Sequence, residues 1–439
     1  MHKFFGGVCP APRKELTRRK PIGKLSAQPD LVYIPLSDGC GGYAKPLVKP
    51  GSQVHIGQPI SAASGDGVGA HASVSGRVVA IESHPSSWGG AIPVITIQNN
   101  GRDVPWPGHP APLDPGDITL ELLLERISES GITDMGGGPR CLLQTLRAAA
   151  GRASTLIINA AESEPYVSAD HRLLLERSEH ILNGARIVAR CLRATRTVLV
   201  TEGDKLNAAE LLEHRLRRHK QHIELITIRT RYPLGAERQL VQTVTGQELG
   251  RGVSPLDVGC VILGPATLYA IECALLQGIP LTHRAVTVSG GALCRPRNIW
   301  VPLGTPLRHL LYEADGLREE SALLLTGGVM RGRPVEELDG PVLPDTSCLI
   351  ALGKYERKAE TATTCIRCGK CVSVCPMHLA PVFIARALRE GDTARLAGLR
   401  PEDCISCGCC SFACPANLPL VELVAEAKYR AAGEEGKAI

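Results

Sequence analysis

At 439 residues the chain can form three or four domains, and its 44% hydrophobic content suits packed cores that a 3% aromatic share leaves to Leu, Val, Ile and Ala. A net charge of +5 without a basic stripe interleaved with aromatics excludes a nucleic-acid-binding protein. The 46 Gly and 32 Pro are scattered, which marks many turns rather than a disordered tract.

The opening, MHKFFGGVCPAPRKEL, has no apolar run long enough for a signal peptide, so Cys9 is not expected to carry a lipid. Nine of the 17 cysteines fall between 365 and 414 and eight are dispersed. A reducing cytosol with thiolate ligands is therefore expected, rather than disulfides. The first 30 residues, rich in Pro, Lys and Arg, read as an extended arm. Residues 45–82 alternate short β pieces (Leu47–Val48, Gln53–Ile56, Val78–Ile81) with Gly turns and read as a small barrel-like sandwich. Their rhythm resembles biotinyl and lipoyl carriers, but no Lys lies between Gly57 and Arg77, so no swinging arm is expected.

From 117 to 280, strands and helices alternate, which predicts an α/β layered domain. Helices are expected over 117–130, 170–192 with Asp170 as N-cap, and 204–220; strands are expected over 154–161, 196–203 and 222–229. The apolar stretch 258–276 contains Pro265 and Glu272. It reads as a strand (Cys260–Leu263), a Gly-Pro turn and a helix from about Ala266 rather than a membrane span. Short β pieces return at 285–290, 298–304 and 323–332, and the tail from 353 holds the cysteine-rich runs and two short helices.

Those runs carry the strongest chemistry. Cys365, Cys368, Cys371 and Cys375, with Pro376, form a C-x-x-C-x-x-C-x-x-x-C-P run, and Cys404, Cys407, Cys410 and Cys414, with Pro415, repeat it. In such runs three thiolates hold one cubane and the fourth ligates the other. The expected sets are Cys365, Cys368, Cys371 and Cys414 for one [4Fe–4S] cluster, and Cys404, Cys407, Cys410 and Cys375 for the second. A zinc ribbon would use two C-x-x-C pairs instead. Cys409 breaks the spacing and reads as a small buried filler.

Several segments together resemble the RnfC family, a component of the Rnf/Rsx ion-translocating electron transport complex that is related to the NADH-binding flavoprotein of respiratory complex I. They are GGVCPAPRKELTRRKPI (6–22), IPLSDGCGGYAKPLVKPGSQVHIGQ (34–58), INAAESEPYVSADHRLL (158–174), RYPLGAERQLVQTVTG (231–246), AVTVSGGALCRPRN, GGVMRG and the paired cysteine runs. The resemblance implies a multidomain α/β plus α+β protein. Its parts would be an arm (1–30), a barrel-sandwich domain (31–105) and a Rossmann-like flavoprotein-type α/β domain (112–282). A β-grasp, SLBB-type domain (283–352) and a ferredoxin-like two-cluster domain (353–439) would follow. It further implies FMN that takes hydride from NADH and feeds the clusters. Gly136, Gly137 and Gly138 would meet the flavin phosphate, and Glu162, Glu164 and Tyr166 would line the pocket. The expected setting is the cytoplasmic side of the inner membrane, bound to integral membrane partners, with ferredoxin reached through the complex.

The chain departs from the family pattern at that pocket. Where the family reads G-x-G-G-A-G-F-P-T and then a lysine, the aromatic–Pro–Thr step is replaced by Arg140, Cys141 and Leu142, and Thr145 stands at the lysine. The family's N-V-G-T becomes Gly264, Pro265, Ala266 and Thr267. A lost lysine charge costs roughly 1–3 kcal/mol of phosphate or nicotinamide binding. Besides the flavin-bearing version, three readings therefore stay open: a flavin-less iron–sulfur conduit, a soluble relative resembling cobalamin reductases, and an adaptor whose clusters stabilise the tail.

Overall fold

In the computed structural model, which describes residues 4–136, 141–218, 222–318, 322–357 and 361–431, the continuous apolar runs become strands covered on both faces. Four of them form a parallel sheet in the order Glu224–Ile228, Arg196–Glu202, Thr155–Asn159, Cys260–Leu263. Side chains alternate between faces. Leu156, Ile158, Leu199, Val261 and Leu263 join the main core, whereas Ile157, Val198, Val200 and Ile262 pack with Leu240 and Val241 on the other side.

The expected helix over 170–192 is two helices, Ala169–Glu176 and Ser178–Leu192, broken at Arg177. The apolar period runs unbroken through the join, but the halves pack differently. The first lies on the strand His283–Ser289, the second on the helix Pro265–Gln277. Nor does Asp170 cap the helix. Ser168 occupies the N-cap, and the Glu162 carboxylate accepts the amides of Asp170 (2.9 Å) and His171 (3.3 Å).

The sandwich sheet runs Leu31–Pro35, Ala91–Asn99, Gly76–Pro85, Gln53–Val54, all antiparallel, with Lys45–Pro46 paired to Ser61–Ala62 beside it. Its core holds Val32, Ile34, Val54, Val78, Ile95 and Ile97. A six-stranded sheet follows, in the order Ile22–Gly23, Arg297–Pro302, His283–Ser289, Cys348–Leu352, Leu323–Thr326, Arg333–Pro334. The arm is not extended throughout: a hydrogen-bonded turn occupies 15–20, and the segment is tied down at both ends. Val8 exchanges backbone hydrogen bonds with Tyr232, the Gly7 amide donates to the Val374 carbonyl (2.8 Å), and Ile22–Gly23 forms the edge of the six-stranded sheet.

Among its described residues the tail contains five α-helices rather than two, Lys370–Ser373, Pro381–Glu390, Thr393–Leu399, Cys409–Ala413 and Leu420–Ala431, with a 3-10 turn at Pro401–Asp403. The cysteine runs themselves wind into single turns, and the two longest helices pack through Ile384, Ala387, Val424 and Ala427. The expectation of thiols without bridges also fails at one place. Cys40 and Cys141 form a disulfide. They stand 101 residues apart and meet only because a sandwich loop reaches the α/β domain, so local spacing carries no trace of the pair.

Candidate electron-transfer site

The two cysteine runs fold as copies at a constant offset, Cys365 corresponding to Cys404. Arg367 and Ser406 take positive φ (57° and 50°), as do His378 and Asn417 (54° and 50°). These kinks turn amides toward sulfur: Arg367 N–H faces Cys365 Sγ (3.4 Å), Ser406 N–H faces Cys404 Sγ (3.3 Å), and Leu379 N–H faces Cys375 Sγ (3.4 Å). Such donors stabilise sulfur that carries cluster charge.

The fourth cysteine of each run lies with the other run. Burial pushes the Cys410 thiol up to about 12, and Cys407, Cys404 and Cys375 press on it in the same direction. Burial pushes Cys375 up to about 11, reinforced by Cys407 and Cys404. Burial also raises Cys371, whose thiol neighbour is Cys414. Thiols held this high stay protonated until a cation is bound, as iron supplies. Cys375, Cys404, Cys407 and Cys410 line one cavity. These four stand around a space, as the corners of a cubane demand. The residues fit two [4Fe–4S] clusters. Cys409 is fully buried beside Cys407, and the contact holds the Cys409 thiol up and the Cys407 thiol down.

The two sets differ in surroundings. Cys375, Cys407 and Cys410 are buried, and the Tyr232 hydroxyl donates to the Cys407 carbonyl (2.8 Å). Val8, Met330 and Val374 complete this wall. By contrast, Cys365 and Cys368 are exposed, as are Ile366 and Phe383.

Tyr232 leads to the carboxyl end of the parallel sheet, the edge where open α/β sheets hold ligands. There the Asn159 amide donates to the Gly235 carbonyl (3.0 Å). Thr267 Oγ1 accepts the Met135 amide (3.0 Å), joining the start of the glycine loop to the helix Pro265–Gln277. Lys205, fully buried, pairs with Glu202 (3.0 Å) and Asp204 (2.9 Å); Lys14, from the arm, pairs with Asp204 (3.3 Å) and reaches the Glu162 carbonyl. Sequence reasoning misses both lysines. Lys14 has its partners far away in the chain, and Lys205 sits in a helical stretch whose burial no local pattern marks.

Of the expected flavin residues, Gly136 donates its amide to Asp134 (3.0 Å), while Gly137 and Gly138 lie outside the described residues. Glu162 is at the sheet edge, with both carboxylate oxygens accepting helix amides. Glu164 and Tyr166 face the six-stranded sheet. Glu164 accepts the amides of Val329 (3.1 Å) and Met330 (3.0 Å), and Tyr166 donates to Glu356 (2.8 Å). Burial raises the Glu164 carboxyl to about 7, and its second oxygen, Oε1, is buried without a hydrogen-bond partner. Asn159 and Thr267 suit a flavin mononucleotide in kind. Lys14 and Lys205 stand at the same edge, but both are buried and paired with Asp204, so they do not replace the charge missing at Thr145.

Four family models match the chain: an RnfC barrel sandwich hybrid domain over 2–102, a Nuo51 FMN-binding domain over 127–273, an SLBB domain over 285–334 and a 4Fe-4S dicluster domain over 364–418. The C subunit of the ion-translocating oxidoreductase complex of Rhodobacter capsulatus is 37% identical, over 98% of this chain and 84% of that protein. Its namesake from Edwardsiella ictaluri is 36% identical over 99% of this chain, which spans only 55% of that relative's length. The C subunit of the proton-translocating ferredoxin:NAD(+) oxidoreductase complex of Clostridium ljungdahlii is 33% identical over 88% of this chain and 84% of its own. Among solved structures, a chain of an NAD+-reducing [NiFe]-hydrogenase in the H2-reduced state superposes with a TM-score of 0.52 at 17% identity. It covers 72% of this chain and 61% of its own, a likeness of fold.

Proposed function

Because the chain belongs to the RnfC family of ion-translocating oxidoreductase complexes, we propose that it is the peripheral electron-transfer component of such a membrane-bound complex. It passes electrons between NADH and ferredoxin while integral membrane partners move ions. Among the described residues no helix is long and apolar enough to cross a membrane. In this reading the protein sits against those partners, on the cytoplasmic side of the inner membrane where NADH is available.

The observation that carries this reading is the layout of the two thiol sets. One is walled in by Tyr232 at the sheet edge, and the other opens to solvent through Cys365 and Cys368. The path thus has an inner end at the α/β domain and an outer end where a partner can approach. Cys365, Cys368, Cys371 and Cys414 hold the outer cluster; Cys375, Cys404, Cys407 and Cys410 hold the inner one. FMN, when bound, accepts a hydride as a pair of electrons and releases them singly, which is the conversion that one-electron clusters need. Around it the chain supplies Gly136 to Gly138, Asn159, Glu162 and Thr267 for orientation.

Protein purified anaerobically is expected to carry about eight iron atoms per chain, four for each cubane. Acid extraction is expected to release FMN, read by fluorescence. Four irons or fewer, or zinc in their place, removes the two-cluster assignment. A full iron count with a non-fluorescent extract leaves a conduit that receives its electrons elsewhere.

A further inference from the structure

We propose that Cys40 and Cys141 are a reversible thiol–disulfide site, which takes a small-molecule disulfide of the glutathione class and clasps the sandwich to the flavin-type domain. Neither cysteine belongs to the metal runs. Cys40 sits on the sandwich loop between Ser37 and Tyr43, and Cys141 is the N-cap of the helix Leu142–Ala149, directly after the glycine loop. The bond therefore joins two domains beside the segment on which flavin binding depends.

The surroundings serve both oxidation states. The Asp66 carbonyl lies 3.1 Å from Cys40 Sγ and 3.0 Å from Cys141 Sγ, so each free thiol has an acceptor when the bond is open. The Asp66 carboxylate pairs with Arg147 (2.9 Å) on the helix that Cys141 caps, a second, exposed link between the sandwich loop and that helix. Asp38 shapes the Cys40 loop by accepting the amides of Cys40 (2.8 Å) and Gly42 (2.7 Å). Opening the bond therefore leaves the sulfurs close enough to close it again. Cys40 is exposed, so a small disulfide can reach it.

The exchange balances in two displacements. The Cys40 thiolate attacks a sulfur of oxidised glutathione, forming a mixed disulfide and releasing one glutathione thiolate. The Cys141 thiolate then attacks Cys40 Sγ and releases the second. The two protons lost by the protein thiols end on two reduced glutathiones, and two electrons pass from the protein to the small molecule.

The test uses the full, cluster-loaded chain, held in glutathione buffers from reduced to oxidised, acid-quenched, alkylated and mapped by mass spectrometry. The Cys40–Cys141 cross-linked peptide should dominate in the oxidised buffer, give way to two alkylated peptides in the reduced one, and return on reoxidation. Cys40→Ser should lose it in every buffer. A pair that never cross-links, or one that stays linked in reduced glutathione, overturns the proposal. The consequence for flavin rests on the flavin reading above. FMN retention after dialysis should differ between oxidised and reduced wild type, and should be indifferent to buffer in Cys40→Ser. If FMN is retained in neither state the flavin reading fails, while the peptide map still decides the clasp.

Discussion

The two cysteine runs have one grammar and two environments. Gly369 and Gly408 occupy equivalent places, each capping a short helix with nearly equal positive φ (72° and 75°). A Cβ added at Gly369 would meet nothing within 4 Å, whereas one at Gly408 would stand 2.5 Å from the Met330 carbonyl. The start of one run, Cys365 to Cys368, lies at the surface, whereas the other run is pressed into a joint made by the arm, Tyr232 and the loop after Thr326. Ligand spacing therefore makes a cluster, and what packs on that spacing decides which cluster is inner and which outer.

The largest effect should come from Cys375→Ser, at a ligand proposed for the inner set that sits in the sequence of the outer run. If the sets cross, reduced protein loses the buried paramagnetic centre and keeps the exposed one. Iron falls to about four per chain, the content of a single cubane. Loss of the exposed centre instead, or two unaltered centres by electron paramagnetic resonance, breaks the pairing and with it the comparison.

Next in size is the joint itself. Burial holds Glu164 at about 7 in the folded chain, against 4.5 for the free side chain. A carboxyl raised on folding weakens the fold as it ionises. The contribution of Glu164 should therefore be fullest below about 4.5, fade as pH rises to about 7, and be lost above that, a span of about 3 kcal/mol. Glu164→Gln keeps an acceptor for the Val329 and Met330 amides and should flatten the decline, as read by urea unfolding from about pH 5 to pH 8. A variant with the wild-type slope would detach Glu164 from the joint.

The matched glycines sharpen the comparison directly. Gly369→Ala should cost only its backbone strain, about 1 kcal/mol. Gly408→Ala adds a collision with the backbone of another domain and should cost about 2 kcal/mol more. The readout is the urea concentration at which each variant bleaches. Equal midpoints would mean that the Met330 loop does not press on the inner run.

How much of this was legible depended on distance along the chain. All ligands of the cysteine runs lie between Cys365 and Cys414, and their spacing alone specifies a cage, so that part reads directly. The parallel sheet was also legible, because strands buried on both faces are continuously apolar, as in Leu156–Ile158 and Val198–Val200. The sandwich strands Leu31–Pro35 and Ala91–Asn99 fall outside the expected β pieces, although burial alternates along the first as a half-covered strand requires. Lys14 stands in an arm rich in Pro, Lys and Arg, yet it is buried against Asp204 and Glu162, far away in the chain. Likewise, no local pattern announces that Cys40 meets Cys141, or that Tyr232 reaches Cys407.

The finest probe is that last contact. Tyr232 is 2% exposed and sits at the seam between the sheet edge and the inner run, where its hydroxyl donates to the Cys407 carbonyl. Tyr232→Phe deletes one buried hydrogen bond and leaves that carbonyl without its donor, a loss of about 1 kcal/mol. The effect should be local. A positive end of a dipole near the inner cluster stabilises its reduced, more negative form, so removal should lower the inner midpoint potential and leave the outer one alone. Redox titration followed by electron paramagnetic resonance separates the two centres. If both potentials move together, the clusters respond as one body, and the division into inner and outer ends has no electrostatic meaning.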